Sequence, residues 1–188
     1  MSDKYFYKVA ENFKIPNFQI QKALHSHAGD DTIGMHYYNT TLNTTDEFLW
    51  VIPAEFRKFF TVTFFKIQRD IPPHVDQNIT AALNLYIKTF ECKTSFYKTK
   101  SSEPIRTSKL VSQTTGYMVN IEDVKEADFF IAKPNEMWLL DSTAIHSVSC
   151  PPKGGVRSAI QIATNHFNIQ EVYTMLKMSG AIQDVWLG

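Results

Sequence analysis

The sequence predicts a mainly β domain, a β-sandwich or jelly roll backed by helices. Three observations carry this. From Thr61 onward, TVTFFKIQ, ITAALNLYIKT, TSFYKT, ADFFIA, EMWLLD, AIHSV and VRSAIQIAT are short and rich in β-branched or aromatic residues. Pro, Gly, Asn and Asp separate several of them, as turn residues do. No helical segment alternates with these strands, so they do not suggest βαβ units.

Taken in order, Asn17 to His27 (NFQIQKALHSH) predicts a helix, with Asn17 as N-cap and Phe18, Ala23 and Leu24 at helical spacing. PAEFRKFF, 53–60, predicts a short helix opened by Pro53. The seven strand segments follow. SSEPIRTSKLVSQTTG, 101–116, predicts a long loop, the kind of segment that serves as a lid or substrate contact. NIQEVYTMLKM, 168–178, predicts a final helix. The chain therefore divides into an N-terminal helix-and-strand extension at 1–60, a β core at 61–165 and a C-terminal helix within 166–188. All three belong to a single domain spanning 1–188.

Bulk properties narrow the function classes. A chain of 188 residues, 44% hydrophobic and 20% charged, suits one soluble globular domain. Lys+Arg and Asp+Glu balance at 19 each, which argues against a nucleic-acid partner. Cys92 and Cys150 form no CxxC and no Cys/His cluster, arguing against a disulfide scaffold or thiolate zinc site and fitting a reducing compartment. No apolar run approaches a membrane span, and MSDKYFYKVAENFKIP is too polar for a signal peptide. The expectation is a cytoplasmic protein with no membrane partner.

The chemistry starts at PPHVDQNIT, 72–80. His74 and Asp76 are two apart, so on an extended chain both point to one face. Alone the pair means little, since composition supplies about 0.3 such pairs by chance. Downstream, PNEMWLLDSTAIHSVSCPPKGGVRSAIQIAT reads as two strands joined by a Pro/Gly turn. In a hairpin centred on Pro151–Pro152, His146 and Arg157 lie opposite each other, on one face. Arg157 shares its face with Ala159, Gln161 and Ala163, while Ile160 and Ile162 point the other way. Along 79–88, Ala82, Asn84, Tyr86 and Lys88 continue the parity of His74 and Asp76. A lumen lined by His, Asp, Asn, Tyr, His, Arg and Gln suits a site better than a core. Two imidazoles and a carboxylate on one face of a metal leave three octahedral positions open, as in non-haem Fe(II) oxygenases. Near such a metal, a guanidinium can hold a carboxylate whose other end reaches the ion.

HxD, a distal His in a Pro-led strand–turn–strand, and Arg eleven residues on followed by Ser resemble the 2-oxoglutarate- and Fe(II)-dependent dioxygenases. The resemblance covers roughly 60–165. It implies a double-stranded β-helix, a cupin-like jelly roll. His74, Asp76 and His146 are then iron ligands, and Arg157 holds the distal carboxylate of 2-oxoglutarate. Asn84 and Tyr86 fall where such proteins often contact the co-substrate. The implied activity is hydroxylation of a C–H bond of a protein side chain or small molecule, with O2 and 2-oxoglutarate consumed and succinate and CO2 formed. Where the resemblance has Gly-Asp before the strand of the distal His, this chain has Asn135–Glu136, and Asn tolerates the positive φ such a turn requires.

Two other readings stand beside this one. A cupin-type metal enzyme would need no 2-oxoglutarate, and its sites commonly use more His ligands. A non-catalytic metal- or ligand-binding β-barrel would keep the ligands but not the access. The remaining histidines read structurally: His25 and His27 near a helix C-terminus, His36 on a partly exposed strand, and His166 in a loop. Trp138 reads as barrel packing. Asp141 competes with Asp76 as carboxylate ligand but lies across the DST bend from His146.

Overall fold

The structure, a computed structural model, describes residues 4–10, 13–15, 20–26, 35–40, 47–101, 107–109, 116–149 and 155–182; for 20–26, 35–40, 107–109 and 116 it describes the backbone alone. The described chain forms two antiparallel sheets. The first has the order β1 (Phe6–Ala10), β11 (Met137–Asp141), β6 (Ala81–Lys88), β13 (Arg157–Thr164), β4 (Thr61–Ile67), β3 (Met35–Thr40) and β2 (Ile20–Ser26). The second runs β10 (Val124–Ile131), β7 (Lys93–Thr99), β12 (His146–Val148), β5 (Ile71–Asp76), β9 (Gly116–Val119) and β8 (Thr107–Lys109).

The strict two-residue period of the central strands sorts their side chains into two apolar clusters. Leu83, Leu85, Met137, Leu139, Ile160 and Ile162 point away from the second sheet. They are covered by α1 (Ile169–Met178), whose Ile169, Val172, Met175 and Leu176 form its buried stripe. The alternate residues Phe65, Ile67, Tyr86, Leu140 and Ala159 meet Ile71, Phe96, Phe130 and Val148 of the second sheet and form the lumen. With both faces covered, β6 and β13 read as nearly continuous apolar runs. Asn168 starts α1 with a capping box: its side chain accepts from Gln170 N and Glu171 N, and Glu171 reaches back to Asn168 N at 2.7 Å.

The strands expected at TVTFFKIQ, ITAALNLYIKT, TSFYKT, ADFFIA, EMWLLD, AIHSV and VRSAIQIAT are all present, as is the final helix. PAEFRKFF forms a 3-10 helix at Ala54–Phe59 with Pro53 as N-cap. Three expectations need correcting. The helix expected from Asn17 to His27 is the strand β2 over its described part, so His25 sits in a strand and His27 lies outside the described residues. An edge pairing with β3 outweighs the helical spacing there. The loop expected at 101–116 contains β8, which pairs with β9. Beyond the expected segments, Phe6–Ala10 joins the first sheet beside β11.

The hairpin expected around Pro151–Pro152 is also replaced. β12 pairs with β5 and β7, β13 pairs with β4 and β6, and the two strands lie in different sheets. His146 stands opposite His74 and Phe96, and Arg157 stands opposite Ile67. Consecutive strands of a two-sheet fold need not pair with each other, and here the chain crosses from one sheet to the other between them. Cys92 is a free, buried thiol, and Cys150 lies outside the described residues. Among the described residues no helix is long and apolar enough to cross a membrane.

Candidate metal centre

β5 and β12 bring His74 and His146 directly opposite each other, with ring centroids 4.3 Å apart. Asp76 continues the face of His74. Its two oxygens lie 3.7 Å from His74 Nε2 and 3.9 Å from His146 Nε2. One ligand atom from each residue falls within 4.8 Å of the others, a group able to hold a metal ion. His74 and His146 are buried, whereas Asp76 keeps 27% of its side chain exposed, so the group opens on the carboxylate side.

The backbone around the Pro pair aims these side chains. From Ile71 to His74 is three residues on β5, set against the two from Val148 to His146 on β12, so β5 carries a bulge at Pro72–Pro73. Proline cannot donate to the ladder, and a bulge is where a strand tolerates it. The Pro72 carbonyl accepts from His74 Nδ1 at 2.9 Å, and the Ala144 carbonyl accepts from His146 Nδ1 at 2.9 Å. Each Nδ1 thereby carries the proton, and each Nε2 lone pair faces the group's centre. Burial, with a lesser contribution from His146, outweighs the pull of Asp76 and holds the His74 imidazole down at about 4. It is therefore neutral at physiological pH, the form a metal ligand needs. Asp141 is occupied elsewhere: its Oδ1 accepts from Thr143 N at 3.0 Å and Thr143 Oγ1 at 2.6 Å, closing the bend before β12.

Arg157 enters from the opposite sheet. It is 2% exposed, and its Nη2 donates to Tyr86 Oη at 2.6 Å and to Thr94 Oγ1 at 2.7 Å. The guanidinium lies 4.7 Å from the centroid of the Tyr86 ring. Its Nε and Nη1 are buried without a hydrogen-bond partner among the described residues. Tyr86 and Thr94 belong to different sheets, so this side chain crosses the lumen. Cys92 N donates to Thr89 O at 2.8 Å in the tight turn that joins β6 to β7. Counting away from that turn, Tyr86 and Thr94 come first, and Asn84 and Phe96 one two-residue step later. Phe96 is the partner of His146, so Arg157 is anchored about one such step, roughly 7 Å along the strand, from the His pair.

Asn84 and Tyr86 both face the lumen, in the parity expected from the HxD strand. Asn84 is buried with its Oδ1 unpartnered. Asn135, before the strand ahead of His146, has φ 67°, the left-handed conformation expected of an Asn standing in for Gly. Glu136 takes no part in the site. Burial pushes its carboxyl up, but Lys8, Lys133 N and the Trp138 indole together hold it below the usual range. Trp138 packs on Phe130, with centroids 4.2 Å apart. His166 lies beside Phe59, past the end of β13. His36 is in β3, and its side chain lies outside what is described. Sequence reasoning does not single out Thr94. Nothing in TSFYKT distinguishes it, and only the approach of the two sheets brings it to Arg157.

Fold and site together define a class: a mainly β protein of two antiparallel sheets in which two His and one Asp form a group able to hold a metal ion. No protein-family model and no curated protein matches the chain. Among solved structures it is similar to vicilin from hazelnut, Corylus avellana (8% identity, 77% of this chain and 31% of that one, TM-score 0.41). It is also similar to a cupin-like protein from Thermotoga maritima (12%, 73% and 74%, 0.35) and to ycfD of E. coli (10%, 74% and 36%, 0.40). The chain spans about a third of the vicilin and ycfD chains. At these identities and scores the likenesses single out no family.

Proposed function

We propose that this protein is an Fe(II)- and 2-oxoglutarate-dependent dioxygenase that hydroxylates a C–H bond of a protein side chain or small molecule. The observation that carries the reading is Arg157. A cation 2% exposed, with Nε and Nη1 unpartnered among the described residues, is costly unless an anion completes it. The donor set fits the two groups invoked. Two imidazoles and a carboxylate suit Fe(II), and an unfilled guanidinium about one strand step away suits the far carboxylate of a five-carbon diacid.

When bound, iron and 2-oxoglutarate supply the oxidising chemistry, in which O2 is consumed, 2-oxoglutarate loses CO2 to give succinate, and a C–H bond becomes C–OH. The chain supplies placement. His74 and His146 present Nε2 because the Pro72 and Ala144 carbonyls hold the protons on Nδ1. Asp76 completes the ligand set from the more open side. Tyr86 and Thr94 fix the guanidinium of Arg157, leaving Nε and Nη1 for the co-substrate. Asn84, on the same strand as Tyr86, offers its amide to the co-substrate's near end. Ile71, Phe96, Val148 and Ala159 keep bulk water from the space between.

The test is an anaerobic titration of iron-loaded protein with 2-oxoglutarate, read at the visible metal-to-ligand charge-transfer band. A saturable band that pyruvate does not reproduce at the same concentration is the expected result. Absence of a band with iron bound would favour a cupin-type enzyme that uses no 2-oxoglutarate. Absence of iron binding would favour a non-catalytic barrel.

A further inference from the structure

The three candidate metal ligands all come from the second sheet, so the wall they face belongs to the first. At their level, one strand step beyond Tyr86, that wall carries Asn84 on β6 and Gln161 on β13, which stand directly opposite each other in the register. Both are on the lumen face of their strands, in the parity of Tyr86 and of Ala159. Both are more than nine-tenths buried, Asn84 at 6% and Gln161 at 7% exposed. Neither side-chain amide has a hydrogen-bond partner among the described residues, and Asn84 Oδ1 is fully enclosed without one. Asn84 Oδ1 is expensive to leave empty, because it loses hydration without replacement, and the Gln161 amide beside it lines the same space with its hydrogen bonds unspent. Trp138 and Thr63, the neighbours of this pair on β11 and β4, are uncharged too.

We infer that Gln161, with Asn84 beside it, is the recognition point for the primary substrate, and that the group bound there is uncharged and carries both a hydrogen-bond donor and an acceptor, as a carboxamide does. This rests on the dioxygenase reading for what lies opposite. In that reading the charges of a divalent metal, Asp76, Arg157 and a dianionic co-substrate cancel, so nothing is left over to neutralise a charged substrate group in a buried lumen. An amide presents one donor and one acceptor edge to a partner amide, which matches a carboxamide and leaves an ammonium or carboxylate half-satisfied. Asn84 can serve the co-substrate through one edge and the substrate through the other. Gln161, four residues beyond Arg157 on β13 and opposite Asn84 rather than Tyr86, is left for the substrate.

The experiment uses the full chain loaded with Zn(II), which binds without redox turnover, and N-acetyl, N-methylamide derivatives of Gln, Asn, Lys, Glu and Leu as probes, titrated by NMR. The Gln and Asn probes should bind about tenfold more tightly than the other three, and Gln161→Met, similar in shape but without the amide, should remove that preference. Gln161→Glu should shift the preference to the Lys probe. Equal or tighter binding of the Lys, Glu or Leu probe to the unsubstituted protein would overturn the proposal, as would an unchanged preference in both variants. A separate 2-oxoglutarate titration of Gln161→Met keeps the two readings apart. An affinity reduced as much as the probe's would assign Gln161 to the co-substrate and overturn the proposal. If 2-oxoglutarate fails to bind the unsubstituted protein while the amide preference holds, the dioxygenase reading falls and the subsite stands.

Discussion

Replacing Arg157 by Met tests whether the guanidinium is there for the fold or for a ligand. In the free protein its contributions nearly cancel. Two charge-assisted hydrogen bonds, to Tyr86 and Thr94, stabilise by about 1.5–3 kcal/mol each. Against them stand two buried, unpartnered nitrogens, Nε and Nη1, which carry three N–H donors and cost about 1–3 kcal/mol per nitrogen. A buried cation with no carboxylate paired to it among the described residues adds further desolvation cost. Met keeps the aliphatic packing, removes the orphaned donors and lets the Tyr86 and Thr94 hydroxyls, which share one nitrogen, pair with each other. Arg157→Met should therefore leave the metal-free protein as stable as before or raise its stability by up to about 2 kcal/mol. For a chain of this size that is up to roughly 8 °C in Tm.

The same substitution should abolish the response to co-substrate. At a hundred times its Kd, 2-oxoglutarate should stabilise the iron-loaded, oxygen-free protein by about 2.7 kcal/mol if the proposed reading holds. The Met variant should show none of this, while its iron affinity stays near that of the unsubstituted protein. Arg157→Lys should retain attraction but lose a prong of the fork, on the order of 1.5–3 kcal/mol. That is roughly a ten- to hundredfold rise in Kd for 2-oxoglutarate. Pyruvate, which has no distal carboxylate, should lose much less. The assay is thermal unfolding with and without co-substrate, alongside titration at the charge-transfer band. Loss of more than 2 kcal/mol in the metal-free Met variant would show Arg157 to be a tether between the sheets. Undiminished 2-oxoglutarate affinity in both variants would remove it from the co-substrate site.

His146→Ala should weaken iron binding roughly a hundredfold or more, with the far-UV spectrum unchanged, because the ring borders the lumen; undiminished binding in an anaerobic titration would take His146 out of the ligand set. The folded-state pKa of His74 lies below its unfolded value of 6.5, so its contribution to stability is full above that value and is lost as pH falls toward about 4. Urea unfolding of metal-free protein should lose on the order of 3 kcal/mol across that window, and a His74→Asn variant should lose less; an identical slope in both would refute the assignment. Phe90 and Glu91 both hold positive φ, 47° and 57°, in the turn closed by Cys92 N and Thr89 O, and Phe90 is 52% exposed. Replacing the pair by Asn-Gly, which such turns prefer, should stabilise the protein by about 1–3 kcal/mol, whereas a lower urea midpoint would show that Phe90 packs in solution.

What could be read ahead of the structure followed the periods of the chain. The two-residue alternation in ITAALNLYIKT and VRSAIQIAT assigned Tyr86, Asn84 and Arg157 to one face and the leucines and isoleucines to the other, and the two apolar clusters divide in that way. His74 and Asp76 were legible for the same reason, although the Pro pair disguised β5 as a turn. What could not be read depended on partners distant in sequence. The helical spacing of NFQIQKALHSH is real, but β3 decides its conformation. Arg157 was placed beside His146 through a hairpin that does not form. It approaches the site instead from the other sheet, and Thr94, its second anchor, carries no local signature.

That last displacement changes what keeps the site in shape. Were His146 and Arg157 cross-strand neighbours, backbone hydrogen bonds would set their separation. Because they stand on facing sheets, side-chain packing sets it. Phe130 of β10 lies flat on Trp138 of β11, and it touches Phe6 at 5.0 Å and Tyr86 at 6.3 Å between centroids. Tyr86 in turn carries Arg157. The aromatic wall therefore joins the sheet that holds the candidate metal ligands to the sheet that holds Arg157. The first sheet is packed on both faces, by the lumen on one side and α1 on the other, which makes it the rigid partner. The second sheet carries the bulge at Pro72–Pro73 and the shorter strands, and it is where ligand positions can be adjusted without disturbing the main core. On the proposed reading, a site assembled this way fixes the length of the acid it accepts through the thickness and offset of its own core.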